Sequence, residues 1–440
     1  MLQDGILMIR KLTAICTLAA LLIVSTVDAL TLEESLARAR DTLPGYKAAL
    51  LKIRSSEALY DATLGPFFPA LDAAAFYDRH YDSSLAGRDY TERGYNLTLS
   101  YLLFDGGKRY ANRNSARLNF ETVTEEARKQ LIYLEFNVKI AFYTALARRD
   151  SLEQKMLQLK DAEKDLEVAQ GRYKHGIAKI SDTLQASVRL QQAKFNVINA
   201  EGALRKSEAD LNSLIGGRLG DKPTLEGALD APPDIPSLSA LHAAVLERPE
   251  IRQAENTVSI ARNTRKIEMS AFWPVLSADA SYSWNKSGFS SLPHADDRIV
   301  GLSAKWSIFE LGRFFKTKSA SIETDVAAEK LLDIRRELVL SVQKSFEDLI
   351  TAHSKLNVAR EQLKQAEYNY KQSFGEYKVG KADILSLVQA ESLLADARDQ
   401  LILTRLDIQT SKAVLERAAA VPRLEALPSD PSSTIPQVLK

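Results

Sequence analysis

The stretch Tyr95-Asn96-Leu97-Thr98-Leu99-Ser100-Tyr101-Leu102-Leu103-Phe104 runs directly into Asp105-Gly106-Gly107-Lys108-Arg109. Tyr95, Leu97, Leu99, Tyr101 and Leu103 fall on one side of an extended chain, and Asn96, Thr98 and Ser100 on the other. Successive side chains of a strand point to opposite faces, so a period of two predicts a β-strand. The glycine pair ends it, and from Lys108 to His175 the pattern is helical. Strict alternation over ~10 residues is the signature of an outer-membrane strand, with lipid on one face and water on the other. An ordinary half-buried antiparallel sheet alternates in the same way, so alternation alone leaves both readings open.

Three more stretches join the first. Ala70–Tyr81 precedes it, and Val275–Asn285 and Ile299–Phe309 stand in the second half of the chain. Leu276, Ala278, Ala280, Tyr282 and Trp284 alternate with Ser277, Asp279, Ser281 and Ser283, and Val300, Leu302, Ala304, Trp306 and Ile308 with Gly301, Ser303, Lys305 and Ser307. Asp72, Asp279 and Lys305 are the expected pore-facing charges. Four strands cannot close a membrane barrel, which needs about eight or more so that no edge meets lipid. If these strands span a bilayer, several chains must share one barrel.

The helices are long. Lys108–His175 alone would extend about 100 Å at the α-helical rise. In Arg313–Val379, apolar or small residues recur at Leu331, Ile334, Leu338, Val342, Phe346, Leu349, Leu356, Leu363, Ala366, Tyr370, Phe374 and Tyr377. Steps of three, four and seven predict left-handed coiled-coil packing. Leu32–Leu64 and Ser181–Ile215 together match the long helix in length, as two shorter rods lying beside one continuous rod would.

The chain repeats itself. A shift of 205 pairs Pro44 with Pro249, Pro69 with Pro274 and Phe104 with Phe309, and a shift of 204 pairs Tyr173-Lys174 with Tyr377-Lys378 and Gly176 with Gly380. The expected organisation is a signal peptide over 1–29, a first repeat over 30–215, a linker over 216–236, a second repeat over 237–420 and a tail over 421–440. Arg10-Lys11, the apolar run to Val24 and small residues before Ala29 support the signal peptide, and the one Cys, Cys16, lies inside it. With 19 Gly and 14 Pro among 440 residues, turn formers fall below the average share of ~12%, as long elements require.

These residues resemble the TolC family of outer-membrane efflux proteins. The motif Leu103-Phe104-Asp105-Gly106-Gly107-Lys108-Arg109, its weaker copy Phe309-Glu310-Leu311-Gly312-Arg313, and the segments Arg172–Asp182 and Glu376–Ala390 carry the likeness, which covers nearly all of the chain after the signal peptide. The resemblance implies a fold that is mostly α with a four-stranded β contribution, long antiparallel coiled-coil helices forming an α-barrel. It implies a homotrimer with a shared twelve-stranded barrel in outer-membrane lipid and a periplasmic tunnel. An inner-membrane pump and a periplasmic adaptor (membrane fusion protein) would dock at the helical tip, with Gly176, Ile177, Gly380 and Lys381 as the contact surface. In the family a Tyr, an Asp and an Arg close the tip and a ring of Asp narrows the entrance. Tyr377 and Asp182 match the first two. Ala382 takes the Arg position, between Lys381 and Asp383, and Ser386 and Gln389 take the ring positions. The entrance gate is therefore assigned to Asp182, Tyr377, Ser386 and Gln389, latched by hydrogen bonds and an Asp182–Lys381 pair, without an acidic ring.

Catalysis is not expected. The five histidines, His80, His175, His242, His294 and His353, lack metal-ligand spacing, and Gly216-Gly217-Arg218-Leu219-Gly220 lacks the lysine of a phosphate loop. Carboxylates such as Glu125-Glu126 and Asp161–Asp165 read as solvated helix faces. With 58 basic and 57 acidic side chains, nucleic acid has no electrostatic footprint to bind. The expectation is a passive export duct with no cofactor. The competing reading is a structural or adhesive coiled-coil protein of the periplasm or cell surface, whose sheet would need an element covering its apolar side.

Overall fold

The computed structural model describes residues 29–81, 89–230, 235–288 and 294–428; nearly all of the expected signal peptide, with Cys16, and the last part of the tail lie outside them. The chain is mostly helical with one four-stranded sheet. Helices α1 (Leu32–Thr42) and α2 (Pro44–Ala62) lead to strands β1 (Ala70–His80) and β2 (Tyr90–Phe104), then α3 (Lys108–Lys174) and α4 (Ile180–Ile215). The order recurs as α5 (Leu238–Val245), α6 (Pro249–Ser270), β3 (Val275–Ser287), β4 (Ala295–Lys305), α7 (Leu311–Lys378) and α8 (Ile384–Ala419). Residues 29–43, 135–230 and 348–414 form one compact unit, and 44–134, 235–347 and 415–428 form a second.

The helix expected over Leu32–Leu64 is two helices. Proline disfavours the helical conformation in the residue before it, and Leu43 is extended at φ −68° and ψ 119°. Thr31 starts the first of them with a capping box, its hydroxyl accepting from the Glu34 amide while the Glu34 carboxylate accepts from the Thr31 amide.

In the first unit the apolar stripe of α7 packs antiparallel on α8. Ala352, Leu356 and Ala359 meet Leu401 and Ile408, and Ala366 meets Leu394 and Ala397. Segment 216–236 is held down where it is described. Leu30 bridges to Leu225, Arg149 of α3 donates to the carbonyls of Leu225 and Gly227 at 2.9 and 3.2 Å, and Arg405 of α8 pairs with Asp230 at 2.7 Å.

In the second unit the sheet runs β1-β2-β3-β4, antiparallel throughout. The alternation expected over Ile299–Phe309 begins four residues earlier as a strand and stops at Lys305. Trp306–Phe309 leaves the sheet so that Arg313 can donate to the Ser307 and Ala271 carbonyls at 2.7 and 2.6 Å. Arg109 does the same in the first repeat, donating to Leu102, Leu103 and Pro66. This is what the Arg of the post-strand motif is for: it ties each strand exit to the turn before the hairpin. Asp105 caps α3 by accepting from the Arg109 amide at 2.8 Å, whereas Glu310 instead pairs with Arg313 at 2.9 Å.

The segment expected as a tail is packed where it begins. Leu424 is buried and its amide donates to Glu416. Nearby, buried Arg248 donates to both Glu250 oxygens, at 2.6 and 3.0 Å, and to the Arg417 and Ala418 carbonyls that end α8. Burial alone would raise the Glu250 carboxyl, but the Arg248 hydrogen bonds and charge hold it below its ordinary value. Arg248→Ala would take from the Glu250 carboxylate its cationic partner and from the Ala418 carbonyl its side-chain donor. A loss of about 3–5 kcal/mol follows from breaking a buried pair, read as a lowered thermal midpoint; an unchanged midpoint would contradict the assignment.

Candidate functional site

Two places carry functional geometry, one in each unit. In the second, the register puts Asp72 opposite Thr98 and Thr98 opposite Ser281, while Ser100 faces Asp279 and Lys305 faces Val275. By strand parity Asp72, Asp279 and Lys305 share one face with Asn96, Ser277, Ser283 and Ser303. Side chains along it bond to one another, Ser277 to Ser303 at 2.7 Å and Asn96 to Thr98 at 3.1 Å.

The opposite face carries Leu71, Leu99, Ala280 and Val300 in one row and Tyr101, Ala278 and Leu302 in the next. Toward the hairpin ends it becomes aromatic and then charged. Tyr95 stacks on Trp284 at 5.7 Å and lies 6.0 Å from Tyr282, with Arg298 over the Tyr282 ring. From Leu276 to Trp284 the apolar and aromatic rows extend about 27 Å at ~3.4 Å per residue. This face is bare: Leu71, Val300 and Leu302 are 70%, 87% and 81% exposed. Among the described residues, no strand pairs with the outer edge of β1 or β4.

In the first unit two helix pairs reverse direction at the tip turns. The Ile177 amide reaches the Arg172 carbonyl and the Gly176 amide the Tyr173 carbonyl, both at 2.9 Å; Lys381 and Gly380 repeat this on Glu376 and Tyr377. These are Schellman caps, which need a left-handed residue, supplied by Gly176 and Gly380 at φ 71° and 80°. The two turns are adjacent, because a side chain added at Gly380 would touch Arg172 and Ile177. Ile177 and Lys381 are exposed.

Tyr377 is fully buried with Ala169, Ala186, Ile384 and Leu387, and the Arg172 guanidinium lies 4.2 Å from its ring centre. An arginine from α3, in the other repeat, thus stands against Tyr377, where Ala382 supplies none. Sequence reading missed it, although Arg172 stands in the quoted tip motif. Tyr173, the first repeat's copy of Tyr377, is exposed, so only one of the two repeated tyrosines is in the core. Asp182 bonds to Ser181 and makes no ion pair with Lys381, so the expected latch is not formed within the chain. Ser386 and Gln389 are exposed, and the Ser386 hydroxyl and amide both donate to Asp383, the cap of α8.

Asp165 corrects the reading of its segment as a solvated face: it is 5% exposed. The signal was its position on the apolar stripe, between Ala162 and Ala169. Burial first, then the charge of Glu391 from α8, push its carboxyl up to about 7. Among the described residues no group of side chains is arranged to hold a metal ion, and no helix is long and apolar enough to cross a membrane.

A family model described as outer membrane efflux protein matches residues 32–217 and 240–421. Outer membrane protein TolC of Escherichia coli is 24% identical, over 92% of this chain and 88% of its own. Pyoverdine export outer membrane protein OpmQ of Pseudomonas aeruginosa is 23% identical, over 82% and 78%. Among solved structures, CusC matches with a TM-score of 0.78 at 17% identity over 88% of this chain and 91% of that one. The outer-membrane channel OprN matches at 0.73, with 17% identity over 88% and 89%. With two matched stretches that account for most of the residues, and the duplicated helix and strand order that such channels share, the chain belongs to the outer membrane efflux protein family, the TolC family of efflux channels.

Proposed function

We propose that three copies of this chain form a passive export duct, each giving four strands to a twelve-stranded barrel in the outer membrane and its long helices to a periplasmic tunnel. The observation that carries this reading is the sheet: one face apolar and bare, the other polar, and both edges open. Exposed backbone edges do not persist in lipid, so such a sheet requires neighbours of its own kind. A structural or adhesive coiled-coil protein would need an element over the apolar face, and none of the described elements lies there. The polar face with Asp72, Asp279 and Lys305 lines the pore in this reading.

The duct performs no chemistry of its own, and an inner-membrane pump supplies the energy. A periplasmic adaptor docks at Gly176, Ile177, Gly380 and Lys381, where the two turns present backbone and exposed side chains together. The signal peptide over 1–29 delivers the chain to the periplasm.

Reconstitution in planar bilayers tests the reading. The purified protein should give discrete conductance steps, and Asp279→Lys should shift their selectivity toward anions, because a charge in a narrow pore acts directly on passing ions. Absence of steps, or unchanged selectivity, would count against it. At the tip, Arg172→Ala removes a contact worth about 1 kcal/mol, and amide exchange at Tyr377 and its neighbours should rise about fivefold. An unchanged rate would mean the arginine does not hold the tip.

A further inference from the structure

The Oδ1 atom of Asp165 accepts a 3.3 Å hydrogen bond from the Tyr370 hydroxyl of α7, while Oδ2 is buried without a hydrogen-bond partner. Charged groups face it from every helix around it. On α3, Asp161 and Lys164 are its neighbours, 3.8 Å from each other. From α8, Glu391 presents a second carboxyl, and Arg398 sits 3.5 Å from Asp161. On α4, Arg189 acts on Glu391. Nearer the turn, Arg172 lies over Tyr377, with Asp182 close enough to act on that ring. The cations Arg398, Arg189 and Arg172 are thus directed at Asp161, Glu391 and Tyr377, while Lys164 pairs with Asp161 and its charge is the smallest influence on Asp165, which makes no ion pair. Tyr370 stays a neutral donor, because burial and the surrounding carboxylates raise its phenol.

A buried carboxyl with an empty oxygen, beside a second carboxyl, has one simple ligand. A proton turns the unpartnered oxygen into a donor or removes its charge, and it ends the repulsion between the two groups. Burial, with the charge of Asp161 added to it, raises the Glu391 carboxyl as well, against the pull of Arg189, so both carboxyls favour the protonated form.

We propose that Asp165 and Glu391 form a proton-binding site that clasps α3 to α8 below the tip turns, closed when the proton is bound and loosened when it leaves to solvent. On the duct reading given above, the pore then opens as pH rises through neutrality. The packing next to the site supports this: Leu166 and Tyr370 both lie against the tip core of Tyr377, Ile384 and Leu387. Repulsion at Asp165 therefore acts on the side chains that hold the tip together.

The test reads tip motion and conduction separately in the full-length protein. Amide exchange over 160–178 and 380–395, corrected for the intrinsic pH effect, is followed from pH 5.5 to 8.5. Protection should fall about tenfold between pH 6 and pH 8, as one pK unit of displaced equilibrium requires. It should fall less than twofold in Asp165→Asn, with the same flattening in Glu391→Gln. Equal pH dependence in wild type and Asp165→Asn would overturn the proton site. Bilayer conductance of the same samples should rise over the same range in wild type and stay level in Asp165→Asn. If the exchange difference appears but no pore forms at any pH, the site stands and the duct reading falls. If pores form and the exchange profiles coincide, the duct stands and the site falls.

Discussion

Leu302→Arg is expected to abolish membrane insertion, while Ser303→Arg one residue away leaves insertion intact. Leu302 pairs with Ala278 on the bare apolar face, and Ser303 with Ser277 on the polar one. An Arg on the lipid side of an outer-membrane strand costs about 2–4 kcal/mol at the bilayer midplane. Three symmetric copies bring the penalty to about 6–12 kcal/mol per barrel by the same scale. In the proposed duct the polar face meets water, so the Ser303→Arg change would alter conductance only. Flotation of the two variants with liposomes distinguishes them. Equal insertion by both would remove the basis for a lipid-facing side.

Asp165→Asn is expected to stabilise the protein above neutral pH. The folded state raises this carboxyl from 3.8 to about 7, so the folded chain keeps a proton that the unfolded chain gives up. Stability must then fall as pH rises from about 4 to about 7 and level off beyond. At 1.36 kcal/mol per unit, the shift of about three units sets a ceiling of about 4 kcal/mol per chain. Asparagine does not titrate, so the variant loses this slope. Its thermal midpoint in detergent should match wild type near pH 4 and exceed it at pH 8. Parallel midpoint curves for the two proteins would refute the assignment.

The strands, the long helices and the duplication were legible because their signals are local. A period of two or 3.5 needs no knowledge of what lies opposite. Where a local pattern ran past a tertiary constraint, the reading overran. The apolar pattern of Leu32–Leu64 continues across Pro44, yet the proline ends the helix before it. The alternation of β4 continues through Trp306 and Ile308, yet Arg313 needs the Ser307 carbonyl turned toward it. Asp72, Asp279 and Lys305 were placed on one face by counting alone, since strand parity survives any arrangement of neighbours.

The tip was less legible. Tyr377 was found by resemblance, but its partner Arg172 comes from another helix, and no spacing rule connects residues so far apart. Asp165 lies among charges at helical spacing, the usual mark of a solvated face. Its place on the apolar stripe between Ala162 and Ala169 is the one local sign to the contrary, and the packing of α8 against α3 shows that the face is buried. Glu391 and Tyr370 complete that site from two further helices, each unremarkable in its own segment. The repeat was misleading here too, because Tyr173 is exposed where its copy Tyr377 is in the core.

The central claim is that the open-edged sheet is one third of a barrel. The number of chains in the detergent-extracted particle, by light scattering or native mass spectrometry, tests it most directly. Three chains per particle, extractable from membranes only with detergent, is the predicted result. A single chain that dissolves without detergent would contradict it.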